Sequence, residues 1–112
     1  HQMLAKVENF LNSFFSDDER PDRGLLSVKT VADAMNVSPD YLSGLLKQLT
    51  GKNAQEHIHQ KLIEKAKERL STTNLSVTEI AYELGFEHPQ SFSKLFKTKT
   101  KLSPLSFRRS FN

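Results

Sequence analysis

Two stretches decide how this chain is read: VKTVADAMNVSPDYLSGLLKQLTGKN, residues 28–53, and VTEIAYELGFEHPQSFSKLFKTKTKLS, residues 77–103. They are imperfect copies of one unit. Val28 matches Val77, Val31 matches Ile80, Ala32 matches Ala81 and Met35 matches Leu84. One extra residue then enters the second copy. Beyond it Pro39 matches Pro89, Leu42 matches Phe92, Ser43 matches Ser93 and Leu45 matches Leu95; Leu46 matches Phe96, Lys47 matches Lys97 and Thr50 matches Thr100. Two copies are too few for a solenoid, so the pattern is a duplicated supersecondary unit.

Each copy reads as a helix, a short turn and a second helix. Ser76 followed three residues later by Glu79 is a capping box that starts one helix, and Ser27 is the N-cap expected at the matching place, although Thr30 cannot complete the box. Asn36 and Gly85 follow the last apolar position of each first helix, where the chain needs a left-handed residue to turn. Ser38-Pro39 and His88-Pro89 then put proline at the first position of each second helix, where its missing N–H costs nothing. This is the helix-turn-helix pattern.

The second helices have two faces. Leu42, Leu45, Leu46 and Leu49 in one copy, and Phe92, Leu95 and Phe96 in the other, fall at helical spacing and are expected to face a core. The opposite stripes read Asp40, Ser43, Gly44 and Lys47, and Gln90, Ser93, Lys94 and Lys97. Small, amide and basic side chains in that arrangement suit a helix laid in the major groove of double-stranded DNA. Glutamine bonds adenine bidentately, lysine reaches guanine acceptors or phosphate, serine adapts to either, and Asp40 can accept from cytosine N4. The competing reading is an ordinary solvated face, or a helix-turn-helix that binds only other proteins. Basic residues at matched positions, Lys47 and Lys97, favour nucleic acid. On this reading Gln90, Ser93 and Lys94 meet base edges, with Ser43 and Asp40 contributing from the first copy. Lys47, Lys97 and the helix starts at Ser27 and Ser76 hold phosphates.

Around the copies, residues 54–70 form a strong helix candidate, with Ile58, Leu62, Ala66 and Leu70 in one apolar line and no glycine or proline to break it. A straight helix of that length spans about 25 Å and could hold two recognition helices in successive major-groove segments, about 34 Å apart. Glu64 and Glu68 repel weakly across one turn, which Lys67 can offset. Residues 4–15 read as an amphipathic helix covering the first unit, and residues 16–24 as an exposed loop. The division expected is 1–52 for the N-terminal helix and first unit, 53–72 for the linker helix and 73–112 for the second unit. The fold class is all-α.

The chain has 112 residues with 16 Lys and Arg against 13 Asp and Glu, a formal charge of +3. The distribution says more than the total. Every acid lies at or before Glu87, and Lys94, Lys97, Lys99, Lys101, Arg108 and Arg109 follow unopposed, the footprint of a phosphate-binding surface. The absence of cysteine excludes disulfides and thiolate metal sites and fits an intracellular location. No apolar run suits a membrane helix. His57 and His59 are two apart, about 200° around a helix, and cannot share a metal; they are expected on the surface, and His88 as a helix cap. No nucleophile, metalloprotease or phosphate-loop motif is present, so neither catalysis nor a cofactor is expected.

The runs IAYELGF (80–86), SFSKLFK (91–97) and LSPLSFR (102–108), with LTGKN (49–53) and EKAKERL (64–70), resemble the DNA-binding domain of the AraC/XylS family of bacterial transcription regulators. The resemblance covers essentially the whole chain. It implies seven helices, two recognition helices in adjacent major grooves and control of transcription at promoters, in the cytoplasm. It also implies a separate sensor or effector domain in a longer protein, and contact with RNA polymerase is compatible with DNA binding as a second role. Two departures stand out. Lys101 occupies a position where the family usually has glycine, and Gly44 one where a larger polar or basic residue is common.

Overall fold

The computed structural model describes residues 1–16 and 24–111. Within them the chain forms seven helices and no strand: α1 (Gln2–Phe14), α2 (Val28–Met35), α3 (Pro39–Thr50), α4 (Ala54–Thr72), α5 (Val77–Glu83), α6 (Pro89–Thr100) and α7 (Pro104–Arg109). Most of the segment expected to be a loop, residues 17–23, lies outside the described residues.

The starts and stops are local chemistry. Ser27 Oγ accepts from Thr30 N–H and also meets the Thr30 hydroxyl at 2.9 Å, a cap without the reciprocal bond of a capping box. Ser38 and Ser103 cap α3 and α7 in the same way, each with proline at the next position. Ser76 and Glu79 make the full capping box. Asn53 and Glu56 make an equivalent reciprocal pair at the start of α4, where Asn53 Oδ1 accepts from Glu56 N–H and Glu56 Oε1 from Asn53 N–H. Asn36, with φ 59°, and Gly85, with φ 98°, are the left-handed residues expected at the turns. His88 takes the N-cap position of α6 but offers it no side-chain hydrogen bond; proline at the first helical position sets the start instead.

The described residues divide into two compact units, 1–16 with 26–61, and 24–25 with 62–111. The first packs Val7, Leu11 and Phe14 of α1 with Leu26, Val31, Ala32, Leu42, Leu46, Ala54 and Ile58. The second packs Leu62, Ile63, Ala66 and Leu70 of α4 with Ile80, Ala81, Leu84, Phe86, Phe92 and Phe96. The matched alanines, Ala32 and Ala81, are both fully buried. An aromatic run links Phe86, Phe92, Phe96 and Phe107 at centroid separations of 5.5–5.9 Å. Helices as short as α5 and α7 do not persist alone. Phe107, set edge-on against Phe96, ties α7 to the second core. Arg108 ties it to α4, donating to the carbonyls of Leu70 (3.0 Å) and Thr73 (3.3 Å). Arg69 donates Nη2–H to Glu83 Oε2 at 2.9 Å, while its Nε lies within ion-pair range of Oε1 but off line for a hydrogen bond.

The duplication extends further than the sequence match suggested. Thr50 donates its hydroxyl to the Leu46 carbonyl and receives Lys52 N–H; Thr100 donates to Phe96 and receives Leu102 N–H. A cap follows in each copy, Asn53 or Ser103, and then a helix, α4 or α7. α4 therefore ends the first unit and begins the second. It runs unbroken for 19 residues, about 28 Å at 1.5 Å per residue. In its exposed face Glu68 pairs with Lys65 at 3.2 Å. No helix of the described residues is long and apolar enough to cross a membrane.

One expectation about the core fails. Leu49 is 40% exposed rather than buried. It lies in the last turn of α3, just before Gly51 turns the chain away, so the apolar line runs past the edge of the core.

Candidate nucleic-acid interface

In each unit a short first helix is followed by a turn and a longer second helix, α3 or α6, whose inner side is locked into the core by Leu42 and Leu46 or by Phe92 and Phe96. Burying those two positions fixes what the helix presents outward. At about 100° per residue, Gln90, Lys94 and Lys97 fall within an arc of about 60° opposite the buried pair, and so do Asp40, Gly44 and Lys47. All six are exposed.

The two faces differ in charge and relief. The α6 face carries two lysines and no acid, and the last turn adds Lys99. The α3 face sets Asp40 against Lys47 and has no side chain at its centre. A Cβ added at Gly44 would meet nothing within 4 Å, so packing inside the protein does not require the glycine.

The serines occupy another place. Ser43 and Ser93 are half-buried on the flank between the outward face and the core. Ser43 Oγ accepts a long hydrogen bond, 3.4 Å, from the Ala54 N–H at the start of α4. At the corresponding position the second unit has Pro104, which has no N–H to give. Ser93 makes no side-chain hydrogen bond among the described residues.

Ser27 and Ser76 stand at the starts of α2 and α5 as capping residues. In α5 the Ser76 N–H is taken by Glu79 Oε1 at 2.9 Å and the Glu79 N–H by Ser76 Oγ at 3.0 Å. These bonds hold the Glu79 carboxyl below its ordinary pKa, the backbone donor being the larger cause. The N–H groups of the first two helical residues remain available there.

The structure adds residues that the stripe reading passed over. Tyr41, 56% exposed, and Gln48 flank the α3 face, and Ser91 and Thr98 flank the α6 face at matching positions. Their signal was available, since each pair stands at corresponding positions of the repeat. No group of three or more His, Cys, Asp or Glu side chains among the described residues could hold a metal. Both central histidines are half-buried rather than fully on the surface: His57 Nε2 lies 2.8 Å from Thr50 Oγ1, and His59 Nε2 lies 2.6 Å from Gln55 Nε2.

A family model described as a helix-turn-helix domain matches residues 31–110. The HTH-type transcriptional regulator of the cgkA 5′ region in Pseudoalteromonas carrageenovora is 36% identical over 101 residues, covering 90% of this chain and 55% of that protein. Among solved structures, the C-terminal domain of the two-component response regulator yesN from Fusobacterium nucleatum superposes with a TM-score of 0.80 at 28% identity, covering 96% of this chain and 99% of that one. The DNA-binding domain of AdpA, in complex with a target DNA, superposes at 0.77 with 21% identity, covering 97% of this chain and 91% of that one, and shares the fold. The chain spans about half of that curated relative's length and 24% of the transcriptional regulatory protein YesN of Bacillus subtilis.

Proposed function

The chain belongs to the AraC/XylS-type helix-turn-helix family of transcription regulators, and on that premise we propose that it binds double-stranded DNA sequence-specifically, setting α3 and α6 in adjacent major-groove segments. The observation that carries the reading is the acid-free outward face of α6, with Gln90, Lys94 and Lys97 aligned and exposed. Gln90 and Lys94 meet base edges, and Ser93 adds an unengaged hydroxyl beside them. Lys97 and its counterpart Lys47 contact phosphates, which position the helices without reading sequence. The N-termini of α2 and α5, capped by Ser27 and Ser76, add backbone N–H donors toward the phosphate chain.

The first unit contributes more weakly to base reading. Asp40 repels phosphate unless it faces a cytosine amino group, Gly44 offers no side chain, and Ser43 is drawn toward α4. Close backbone approach at Gly44 is its compensating asset. A sensing or effector domain, and any contact with RNA polymerase, belong to the longer regulator of which relatives give the pattern. The place of action is the cytoplasm, where the promoter DNA is.

Selection of a random duplex library on the protein, read by sequencing at two salt concentrations, tests this. Two enriched motifs about one helical turn apart, roughly 10 base pairs, support bipartite reading. A single motif assigns sequence reading to one unit. Absence of enrichment at both salts refutes specific binding and leaves a protein-interaction module. A glycine pair inserted at Lys65 should then abolish any fixed motif spacing; retained spacing would dispose of α4 as a ruler.

A further inference from the structure

The turns that close α3 and α6 are the same turn built from different residues. Gly51 adopts φ 84°, ψ −7° and donates its N–H to the Lys47 carbonyl; Lys101 adopts φ 69°, ψ 6° and donates to the Lys97 carbonyl at 2.8 Å. Left-handed backbone is free for glycine and strained for most L-residues. Elsewhere among the described residues the chain fills its left-handed positions with Gly24, Gly51, Gly85 or Asn36, the residue types that tolerate them. Only at residue 101 does a lysine stand there. A Cβ built on Gly51 meets nothing within 4 Å, so the turn accepts a side chain sterically, and the cost of one is in the backbone alone.

Inside the protein Lys101 recovers little of that cost. Its ammonium donates to the Thr98 carbonyl at 3.3 Å, a long bond on an exposed turn. The same bond fixes where the charge lies, folded back on the last turn of α6 beside Thr98 and one turn beyond Lys97. Residue 101 follows Lys97 by four along the chain, but as the left-handed cap it leaves the helix, so its ammonium lies beside Thr98 at the edge of the face that carries Gln90, Lys94 and Lys97. Strain that persists without internal return, at the edge of a binding face, points to an outside partner.

We infer that Lys101 is a phosphate contact of the second unit, exchanging the Thr98 carbonyl for a phosphodiester next to the one held by Lys97. The inference rests on the DNA-binding reading above. It gives the second unit an anchor that the first, with Gly51, does not have.

The test compares wild type, Lys101→Gly and Lys101→Arg on a fluorescent pool of random-sequence 30-base-pair duplexes, titrated across salt, with thermal melts alongside. Lys101→Gly should melt higher than wild type yet lose one counterion's worth of salt dependence. With a slope of about 0.9 per phosphate contact, its affinity should then fall about 3.5-fold less than wild type's between roughly 50 and 200 mM salt. Lys101→Arg should keep the wild-type slope. A wild-type slope in Lys101→Gly, or a glycine-like slope in Lys101→Arg, overturns the contact, and a lower melting temperature for Lys101→Gly overturns the strain argument. Failure of the wild type to bind the pool at any salt refutes the DNA reading itself, and the contact falls with it.

Discussion

Gly85 approaches Gly24 so closely that a Cβ built on Gly85 would stand 2.4 Å from the Gly24 carbonyl oxygen and 2.7 Å from the Leu25 nitrogen. Both obstacles are backbone, and neither can swing aside as a side chain would. Gly85 also has φ 98°, so alanine there meets strain and collision together. Gly85→Ala should cost roughly 2–4 kcal/mol, read from denaturant unfolding. A loss below about 1 kcal/mol would mean that the segment at Gly24 moves away freely.

Gly44 is the opposite kind of glycine. It lies in the middle of α3 with open space around it. Gly44→Ala should therefore stabilise the protein by about 1 kcal/mol through helix propensity. On a duplex bearing the selected motif the same variant should bind more weakly, because the added methyl holds the helix off the groove. Unchanged or tighter binding would show that α3 makes no close approach.

Lys94 and Lys97 should separate reading from holding. Lys94→Ala is expected to relax base preference at one position and to cost on the order of 1–3 kcal/mol on the preferred duplex. Lys97→Ala should weaken all duplexes alike and flatten the salt dependence by about one unit. Binding measured on preferred and scrambled duplexes across salt checks both. Equal affinities in all three proteins would remove this face from the interface.

The capping box of α5 makes a prediction about acid. The Glu79 carboxyl is held below its ordinary carboxylate value by the Ser76 N–H and hydroxyl, so folding favours the ionised form. Its stabilisation is full above the unfolded value and is lost as pH falls through the lower folded one. Glu79→Gln should accordingly lower stability near neutrality and converge with wild type as pH falls through that window. Ser76→Ala removes the other half of the box and should cost roughly 0.5–2 kcal/mol at pH 7. A stability difference between wild type and Glu79→Gln that stays constant from neutrality down through the window would show that the Glu79 charge contributes nothing to the box.

Much of this was legible in the residues because caps and turns are local. Ser76 with Glu79, Pro39, Pro89, Asn36 and Gly85 each announce a boundary within a few positions, and the structure puts the boundaries there. Periodicity gave the buried faces of α3 and α6 but overran at Leu49, since a repeat cannot show where the core it faces comes to an end. α7 entered only through resemblance: its six residues are too few for a period to stand out, and its hold comes from Phe107 and Arg108 reaching distant partners. The outward lysines were legible for the same reason as the buried leucines, being their complement on the wheel. The contrast between Ser43 and Ser93 was not, because it depends on an N–H present at Ala54 and missing at Pro104, in helices that follow each serine by eleven residues.

α4 gives Ile58 to one core and Leu62, Ile63, Ala66 and Leu70 to the other, with no spacer between the two sets. The division between the two units therefore falls inside a helix. Cutting the chain anywhere in α4 strips one half of a wall, so neither half can be excised intact unless the helix is carried along with both. Insertions meet the same constraint in angular form. One added residue between Lys61 and Leu62 turns the remaining residues of α4 by about 100° and advances them by about 1.5 Å, whereas seven residues return the phase to within about 20°. Recombination between relatives that joins halves within this helix is thus restricted to crossovers that preserve its winding, and the helix acts on exchange between regulators much as a keyed shaft acts on interchangeable gears.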